Sequence, residues 1–350
     1  MQTITTIGLD LAKSVFQMHA VGDDGSVLMR RKLRRGEVLA TFARLSPCLV
    51  GMEACGGAHY WAREIAKLGH AVKLIPPAYV KPYVKRGKTD AVDAEAICEA
   101  VTRPTMRFVA VKSVDAQASA MVFKSRDLMV RQRSQTINAL RAHLSELGLV
   151  TKTGVANVAG LIAIVRDDED ARLPALARFA LKALADQIDA LTRAVEDLEA
   201  KIVADVRRDE AARRLTTIPG IGPISAAAIK ALVPDIAGFT SARHFAAWVG
   251  LTPKSHSSGG KERLGRISKM GNATLRTLLV LGATTVLQHI RRGAKGPNWL
   301  LDLLARRPFK VAAVALANKM ARIVYALLIG GEDSRVAGQG AAGRETVATA

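Results

Sequence analysis

The chain has 350 residues, with 51 Lys or Arg against 31 Asp or Glu, so its formal net charge is +20. Apolar residues make up 49 % and charged residues 23 %, a globular balance that excludes a wholly disordered chain. The positive excess favours a polyanionic partner such as nucleic acid, whereas an aromatic content of 4 % disfavours recognition of single-stranded bases by stacking.

The first hundred residues alternate strand and helix patterns. Strands are predicted to end at Asp10 and to cover residues 14–20, 26–33, 48–52 and 71–75, with helices over 36–45, 58–68 and 90–101. The second and third strands flank Gly-Asp-Asp-Gly, a strong hairpin turn. The order of elements predicts an α/β domain with a mixed sheet, which we place at residues 1–110.

The middle of the chain, residues 111–210, is predicted to be helical, beginning with a long helix over 114–147. After a glycine-containing break, apolar residues recur at alternating spacings of three and four, the pattern of a coiled-coil seam. The residues of this seam are Leu181, Leu184, Ile188, Leu191, Val195, Leu198 and Ile202. Two interpretations are open: an antiparallel arm or pair between subunits, or a helix packed on its own domain.

A third region, residues 211–330, is expected to be all-α. The sequence IPGIGP at 218–223 resembles the glycine turn of a helix-hairpin-helix. The polar, basic stretch 252–269 is predicted to be a loop, and apolar helices over 273–289 and 308–329 follow it. Residues 331–350 have the composition of a disordered tail. The expected fold class is therefore α/β plus all-α.

The compartment is predicted from cysteines and hydropathy. Three cysteines without a CxxC pair are typical of a reducing compartment and argue against a disulfide framework. The start, MQTITTIGLDLAK, lacks the features of a signal peptide. Asn318, Lys319 and Arg322 interrupt the apolar stretch near the C-terminus, so no membrane span is predicted. We expect a cytoplasmic protein.

Four carboxylates of the first region are candidates for a metal site. Asp10 and Glu53 end strands, and Asp90 and Asp93 lie three apart on one helix face. Strand ends in an α/β sheet converge where ligands bind, and clustered carboxylates repel unless a cation intervenes. An oxygen-only ligand set suits Mg²⁺ or Mn²⁺, and two such ions can clamp a reacting phosphodiester. The alternative is that each acid is a helix cap or a surface charge.

Two further segments are candidates for phosphate contact. Gly220 and Gly222 would allow close approach of a phosphate to a helix N-terminus, although a tight helix–helix turn explains them equally well. The predicted loop supplies four basic side chains, Lys261, Arg263, Arg266 and Lys269. Such side chains can stabilise charge on a phosphorus transition state.

The same loop contains hydroxyl groups and one imidazole. A serine hydroxyl such as that of Ser257 or Ser258 becomes a nucleophile only beside a base, a metal or a charge-neutralising environment. His256 could shuttle protons or contact phosphate. Composition alone equally allows a flexible DNA-contacting loop that carries no chemistry.

Together these segments resemble the DEDD-type insertion-sequence transposases, the family related to the pilin-gene invertase and known for RNA-bridged recombination. The matching segments, over most of residues 5–290, are GLDLAK, GMEACGGAHYW, KTDAVDAEAI, IPGIGPISAAAI and FAAWVGLTPKSHSSGGKERLGRISKMGNATLRTLL. One departure is Cys55, where many relatives have threonine; it removes no proposed ligand.

The resemblance implies a ribonuclease-H/RuvC-like N-terminal domain whose four acids bind Mg²⁺. It also implies a C-terminal transposase domain with a serine nucleophile, which by motif match is Ser258, with Ser257 as the neighbouring alternative. Excision and insertion of the element would proceed through phosphoserine intermediates. An element-encoded RNA would pair with donor and target DNA. The assembly would be a dimer or tetramer with active sites shared between subunits.

Two other functions stay open on the sequence. A metal-only endonuclease of the Holliday-junction type would use the same acids, cut with water and form no covalent adduct. A non-enzymatic nucleic-acid scaffold would need the basic charge but not the acids.

Overall fold

The computed structural model describes residues 3–85, 87, 89–233, 235–257, 259–261 and 263–330. Ser258 and the predicted tail from residue 331 lie outside the described residues. The chain divides into two compact units, Met1–Gln117 and Ala118–Ala350.

The first unit is built on a five-stranded mixed sheet with strand order β3-β2-β1-β4-β5. Its strands are β1 (Thr6–Asp10), β2 (Val15–Val21), β3 (Val27–Arg34), β4 (Leu49–Glu53) and β5 (Ala71–Ile75). The first three pair antiparallel, and β4 runs parallel to both β1 and β5. The sheet confirms the predicted mixed α/β architecture.

Four helices complete this unit: α1 (Val38–Phe42), α2 (Ala58–Ala66), α3 (Pro77–Val80) and α4 (Asp90–Val101). The apolar face of the sheet packs on α1 and α2, because side chains alternate along each strand. Ile7 and Leu9 of β1 are fully buried there, in one cluster with Phe42, Trp61 and Ile65. Helix α4 packs on the opposite face of the sheet, against β1, β2 and β4.

The second unit is mostly helical. Its first helix, α5 (Val114–Glu146), begins in the first unit and is followed by α6 (Val158–Arg166), α7 (Ala175–Arg208), α8 (Glu210–Leu215), α9 (Pro223–Leu232), α10 (Ala242–Val249), α11 (Ala273–Arg291), α12 (Asn298–Arg306) and α13 (Phe309–Gly330). Helices α9 to α11 and α13 supply most of one large apolar core.

The heptad seam of α7 has partners within its own chain. Leu181 and Ile188 are buried in a cluster with Ile137, Leu140 and Leu144 of α5. Near the other end of the pair, the Arg126 guanidinium on α5 donates to the carboxylate of Glu199 on α7, with Nε to Oε1 at 2.8 Å. The antiparallel pairing of α5 and α7 therefore accounts for the periodicity without a second subunit.

The stretch predicted to be a loop contains two short strands, so that prediction is wrong for part of it. Strands β6 (Pro253–Ser255) and β7 (Leu264–Ile267) pair antiparallel and form a β-hairpin, which we call the serine hairpin. The sequence does not predict these strands because they lack the apolar alternation of a half-buried strand. All but one of their residues are solvent-exposed.

Helix α13 is the one helix, among the described residues, long and apolar enough to cross a membrane. Eight of its residues are buried in the core of the second unit: Ala312, Ala313, Leu316, Ala317, Met320, Ala321, Val324 and Leu327. A core helix of a water-soluble domain has the same composition, so the helix is weak support for a membrane span.

Candidate metal centre and serine hairpin

The ends of β1 and β4 bring two of the predicted acids to one edge of the sheet. In the parallel register Leu9 lies opposite Met52, so the following residues, Asp10 and Glu53, end neighbouring strands side by side. Both side chains are partly buried. The sheet therefore provides the convergence that the strand pattern predicted.

Helix α4 crosses this sheet at very short range because two strand residues are glycines. A Cβ on Gly8 would lie 2.1 Å from the carbonyl oxygen of Ala94, and a Cβ on Gly51 would lie 2.8 Å from the Cβ of Val101. A glycine inside a strand pattern indicates such close backbone approach. These two glycines of the sequence are therefore the signal for the position of the helix that carries the other two acids.

The first turn of α4 presents Asp90 and Asp93. The hydroxyl oxygen of Thr89 caps the helix by accepting from the backbone N–H of Val92, and the N–H of Asp93 donates to the carbonyl of Thr89. Carboxylate oxygens of Asp10, Asp90 and Asp93 all lie within 4.8 Å of one another. Three of the four predicted acids thus form a compact cluster.

Crowding shifts the ionisation of Asp10. Its pKa rises from 3.8 to about 6, chiefly because burial disfavours the charged carboxylate and then because the charges of Asp93, Asp90 and Glu53 repel it. A group that is hard to ionise among other carboxylates is stabilised when a cation enters. The acid cluster is thus electrostatically suited to bind a positive ion.

The donor set fits a hard divalent cation. All three carboxylates offer oxygen ligands, and no His or Cys belongs to this group of described residues. An ion with metal–oxygen distances of about 2.1 Å spans ligand atoms up to about 4.2 Å apart, so small side-chain rotations would close the set. Asp10, Asp90 and Asp93 are the residues that would hold the ion.

The fourth predicted acid, Glu53, is adjacent to this cluster rather than within it. Its charge contributes to the raised pKa of Asp10, but it is outside the group whose ligand atoms lie within 4.8 Å. The exposed Cys55 follows it in a turn and donates its backbone N–H to the Glu53 carbonyl at 2.9 Å.

A further acid on α4, Glu95, was not singled out from the sequence. It forms ion pairs with Lys85 at 2.5 Å and Arg30 at 3.7 Å, and the hydrogen bond from Lys85 lowers its pKa. His19 is nearly fully buried close to these charges, and burial lowers its pKa. These contacts hold Glu95 ionised in a basic environment, separate from the acid cluster.

The serine hairpin holds the described hydroxyl groups in a hydrogen-bonded turn. Ser257 Oγ lies 2.8 Å from Ser255 Oγ and accepts the backbone N–H of Arg263 at 3.3 Å. The backbone N–H of His256 donates to the carbonyl of Arg263 at 2.8 Å. Ser257 therefore takes part in the hydrogen bonding of this turn. Ser258, the predicted nucleophile, is not among the described residues.

The four predicted phosphate-binding cations are exposed on or beside this hairpin. Lys261 and Arg263 lie near its tip, and Arg266 lies on β7. Lys269 follows β7 and has a positive φ of 54°. The ring of His256, which follows β6, lies over Gly265 of β7, since a Cβ added to Gly265 would lie 2.8 Å from that ring. The arrangement offers a solvent-facing basic surface.

The two glycines of the predicted helix-hairpin-helix turn are in different environments. Gly220 has φ +87° and packs on α11, where a Cβ would lie 2.7 Å from the carbonyl oxygen of Gly282. Gly222 is exposed, surrounded by open space, and precedes Pro223 at the N-terminus of α9. Close helix packing explains Gly220, whereas phosphate contact at Gly222 stays a prediction.

Comparison with known proteins covers both halves of the chain. Residues 7–148 match the DEDD transposase family of IS110, described as "Transposase". Residues 212–296 match the family described as "Transposase IS116/IS110/IS902 family". The first match contains all four predicted acids, and the second contains the glycine turn and the serine hairpin.

Several relatives match along nearly their whole length. A "Probable family 20 transposase" of Pseudomonas aeruginosa is 50 % identical over 327 residues, which are 93 % of this chain and 97 % of the relative. The transposase for insertion sequence element IS1328 of Yersinia enterocolitica is 39 % identical over 93 % of this chain and 97 % of its own. The transposase for insertion sequence element IS1111A of Coxiella burnetii is 39 % identical over 94 % of this chain and 90 % of the relative.

These similarities agree on the class of protein. The chain is a transposase, an enzyme that cleaves and rejoins DNA strands. More narrowly, it belongs to the IS110/IS116/IS902 family of insertion-sequence transposases. The family membership predicted from the sequence motifs is confirmed.

Proposed function

We propose that this transposase is a site-specific recombinase that excises and inserts an insertion sequence with the help of a metal-binding acid cluster and a serine nucleophile. The observation that carries the proposal is the cluster of Asp10, Asp90 and Asp93 at the sheet edge. The N-terminal unit would act as the RuvC-like, ribonuclease-H-class domain (residues 1–110), and residues 211–330 as the serine-bearing transposase domain.

The acids would hold Mg²⁺, or Mn²⁺, with Glu53 completing the set from the neighbouring strand. A divalent ion bound there supplies charge stabilisation for a phosphodiester at the point where it is cut. The protein's own contribution is positional: the glycines of β1 and β4 allow α4 to lie close enough for its first turn to reach Asp10. With its pKa raised to about 6, the Asp10 carboxylate is ionised and can bind an ion at neutral pH, whereas protonation competes with the ion at acidic pH.

The proposed chemistry is a reversible phosphoryl transfer. Ser258 Oγ attacks the scissile phosphorus and its proton passes to water as the new O–P bond forms. One P–O bond to deoxyribose breaks, and the leaving sugar oxygen takes up a proton from water to become a hydroxyl. Rejoining is the reverse: a sugar hydroxyl from another strand attacks the phosphoserine and restores the serine. Arg263, Arg266, Lys261 and Lys269 would neutralise the developing charge.

The partners are part of the same proposal. Donor and target DNA would be brought together by an element-encoded RNA, and the protein would work as a dimer or tetramer in the cytoplasm. A net charge of +20 suits such a polyanionic load. If base pairing reads the sequence, the protein can contact mainly the backbones, which fits its low aromatic content.

The proposal is tested by trapping the covalent adduct. Wild-type protein incubated with its DNA sites and Mg²⁺ should give a protein–DNA species that resists denaturant, and Ser258→Ala should abolish it while DNA binding persists. Ser257→Ala is the matched control and should retain the adduct. An adduct that survives in Ser258→Ala but not in Ser257→Ala would move the nucleophile to Ser257.

A metal-only endonuclease is the second candidate, and the acid cluster alone supports it equally. It predicts strand cutting by water with no adduct and full activity in Ser258→Ala. Asp93→Asn should abolish cutting under either candidate. If Asp93→Asn left cutting and transposition intact, the acid cluster would have no catalytic role.

A further inference from the structure

The C-terminal helices carry a large share of the chain's positive charge outside the predicted site. Residues 263–330 contain twelve Lys and Arg but a single acid, Asp302. Only three of these cations belong to the serine hairpin and its flank. The other nine cations and the one acid leave a local excess of +8, at the upper end of the net charge of about 2–8 that keeps a small domain soluble.

Six of these cations lie at the end of α11, in the turn after it and at the junction of α12 with α13. The last turn of α11 meets the start of α13 there, since the Arg291 guanidinium lies 5.1 Å from the ring centroid of Phe309. The turn after α11 folds back, because a Cβ on Gly296 would touch Ile290 at 2.7 Å. We call these residues the basic cluster: Arg291, Arg292, Lys295, Arg306, Arg307 and Lys310.

The cluster is exposed and electrostatically unbalanced. All six side chains belong to solvent-exposed residues. Among the ion pairs formed by the described part of the chain, none includes a member of the cluster. Repulsion between neighbouring cations is therefore not offset by carboxylates within these residues.

Helix stability explains only part of this arrangement. Arg291 and Arg306 lie in the last turns of α11 and α12, where a cation interacts favourably with the helix dipole. Arg307 is the C-cap of α12 and is likewise at a favourable helix end. Lys310, however, lies in the first turn of α13, where the same dipole disfavours a cation. A cation retained at an unfavourable helix end points to an external anion.

The aromatic rings near the cluster are covered. Phe309 lies beneath Arg291, and the ring of Trp299 lies beneath Lys319, whose Nζ is 4.7 Å from its centroid. Bases of a single strand would need free aromatic faces for stacking, whereas a duplex presents its phosphates outward. The surface chemistry therefore favours a double-stranded backbone.

We propose that the basic cluster binds the phosphate backbone of duplex DNA, as a contact separate from the acids and the serine hairpin. The proposal rests on DNA being the substrate, which family membership establishes. It does not depend on the metal or the serine assignment. Its role is to hold a DNA arm without reading its sequence.

Salt dependence gives the test. The full chain is titrated with a 30-bp duplex in EDTA, so that no cutting occurs, over 50–200 mM salt. The variant R307Q/K310Q removes two cations of the cluster. The control K152Q/R193Q removes two exposed cations elsewhere and changes the net charge equally. The slope of log K against log salt is negative, and each lost phosphate contact reduces its magnitude by about 0.9.

We expect R307Q/K310Q to reduce the magnitude of the slope by about 2 and to lower the affinity at 100 mM salt by roughly tenfold or more. The control should keep the wild-type slope. R307K/K310R, which retains the charge, should restore binding. An unchanged slope in R307Q/K310Q, or an equal loss in the control, overturns the proposal. So does loss of binding to an RNA hairpin with DNA binding intact, which would assign the cluster to RNA.

Discussion

The raised pKa of Asp10 predicts that Asp10→Asn stabilises the protein when no divalent ion is bound. Folding moves this pKa from 3.8 to about 6, first through burial and then through the charges of Asp93, Asp90 and Glu53. A shift of about two pH units corresponds to about 3 kcal/mol by linkage. Asp10 is partly exposed, so solvent screening reduces this to roughly 1–2 kcal/mol.

The direction of the change in unfolding free energy depends on whether the folded or the unfolded state binds the Asp10 proton more tightly. A raised folded-state pKa means that ionised Asp10 destabilises the folded state, fully at pH above about 6 and not at all below the unfolded value of 3.8. Asparagine keeps the shape of the side chain and removes the charge. The stabilisation by Asp10→Asn should therefore be largest at neutral pH and disappear near pH 4.

Thermal unfolding in EDTA measures the effect. At pH 7.5 we expect Asp10→Asn to raise Tm by roughly 2–8 °C, given about 2–4 °C per kcal/mol for a domain of this size. Mg²⁺ should raise the Tm of the wild type and have little effect on the variant. Asp24→Asn is the control, because hydrogen bonds from Ser26 lower the pKa of Asp24 and its loss should give no gain. A variant that melts at or below wild type at pH 7.5 would refute the electrostatic reasoning.

Two glycine substitutions test the close packing, and a third, Gly222→Ala, is the control. Gly8→Ala places a Cβ 2.1 Å from a backbone oxygen of α4, so we expect a loss of at least about 1–3 kcal/mol in the free energy of unfolding and weaker Mg²⁺ binding by calorimetry. Gly220→Ala combines a positive φ with a 2.7 Å contact and should cost about 2–4 kcal/mol in denaturant unfolding, whereas Gly222→Ala should cost under about 1 kcal/mol. Equal melting of these last two variants would contradict the packing explanation.

The local sequence pattern is sufficient to predict most of the strands and helices of the first unit. Apolar alternation and turn residues located all five strands to within one or two residues, and Asp90–Val101 was predicted with its observed bounds. Strands buried on a core face have a regular pattern that survives in a single sequence. The serine hairpin has no such pattern, since its short strands are almost entirely exposed, so its sequence predicts a loop.

The amino-acid sequence alone determined the family, the four acids and the strongly basic character, because these depend on residue type and order. Only the tertiary structure decided that three acids share one small volume, that the heptad seam of α7 packs on α5 of its own chain, and that Arg291 at the end of α11 lies against Phe309 at the start of α13. The physical reason is that spacing along a chain fixes which face a residue lies on, whereas the distance between faces is set by how closely elements pack. Here Gly8 and Gly51 set that distance for the acids.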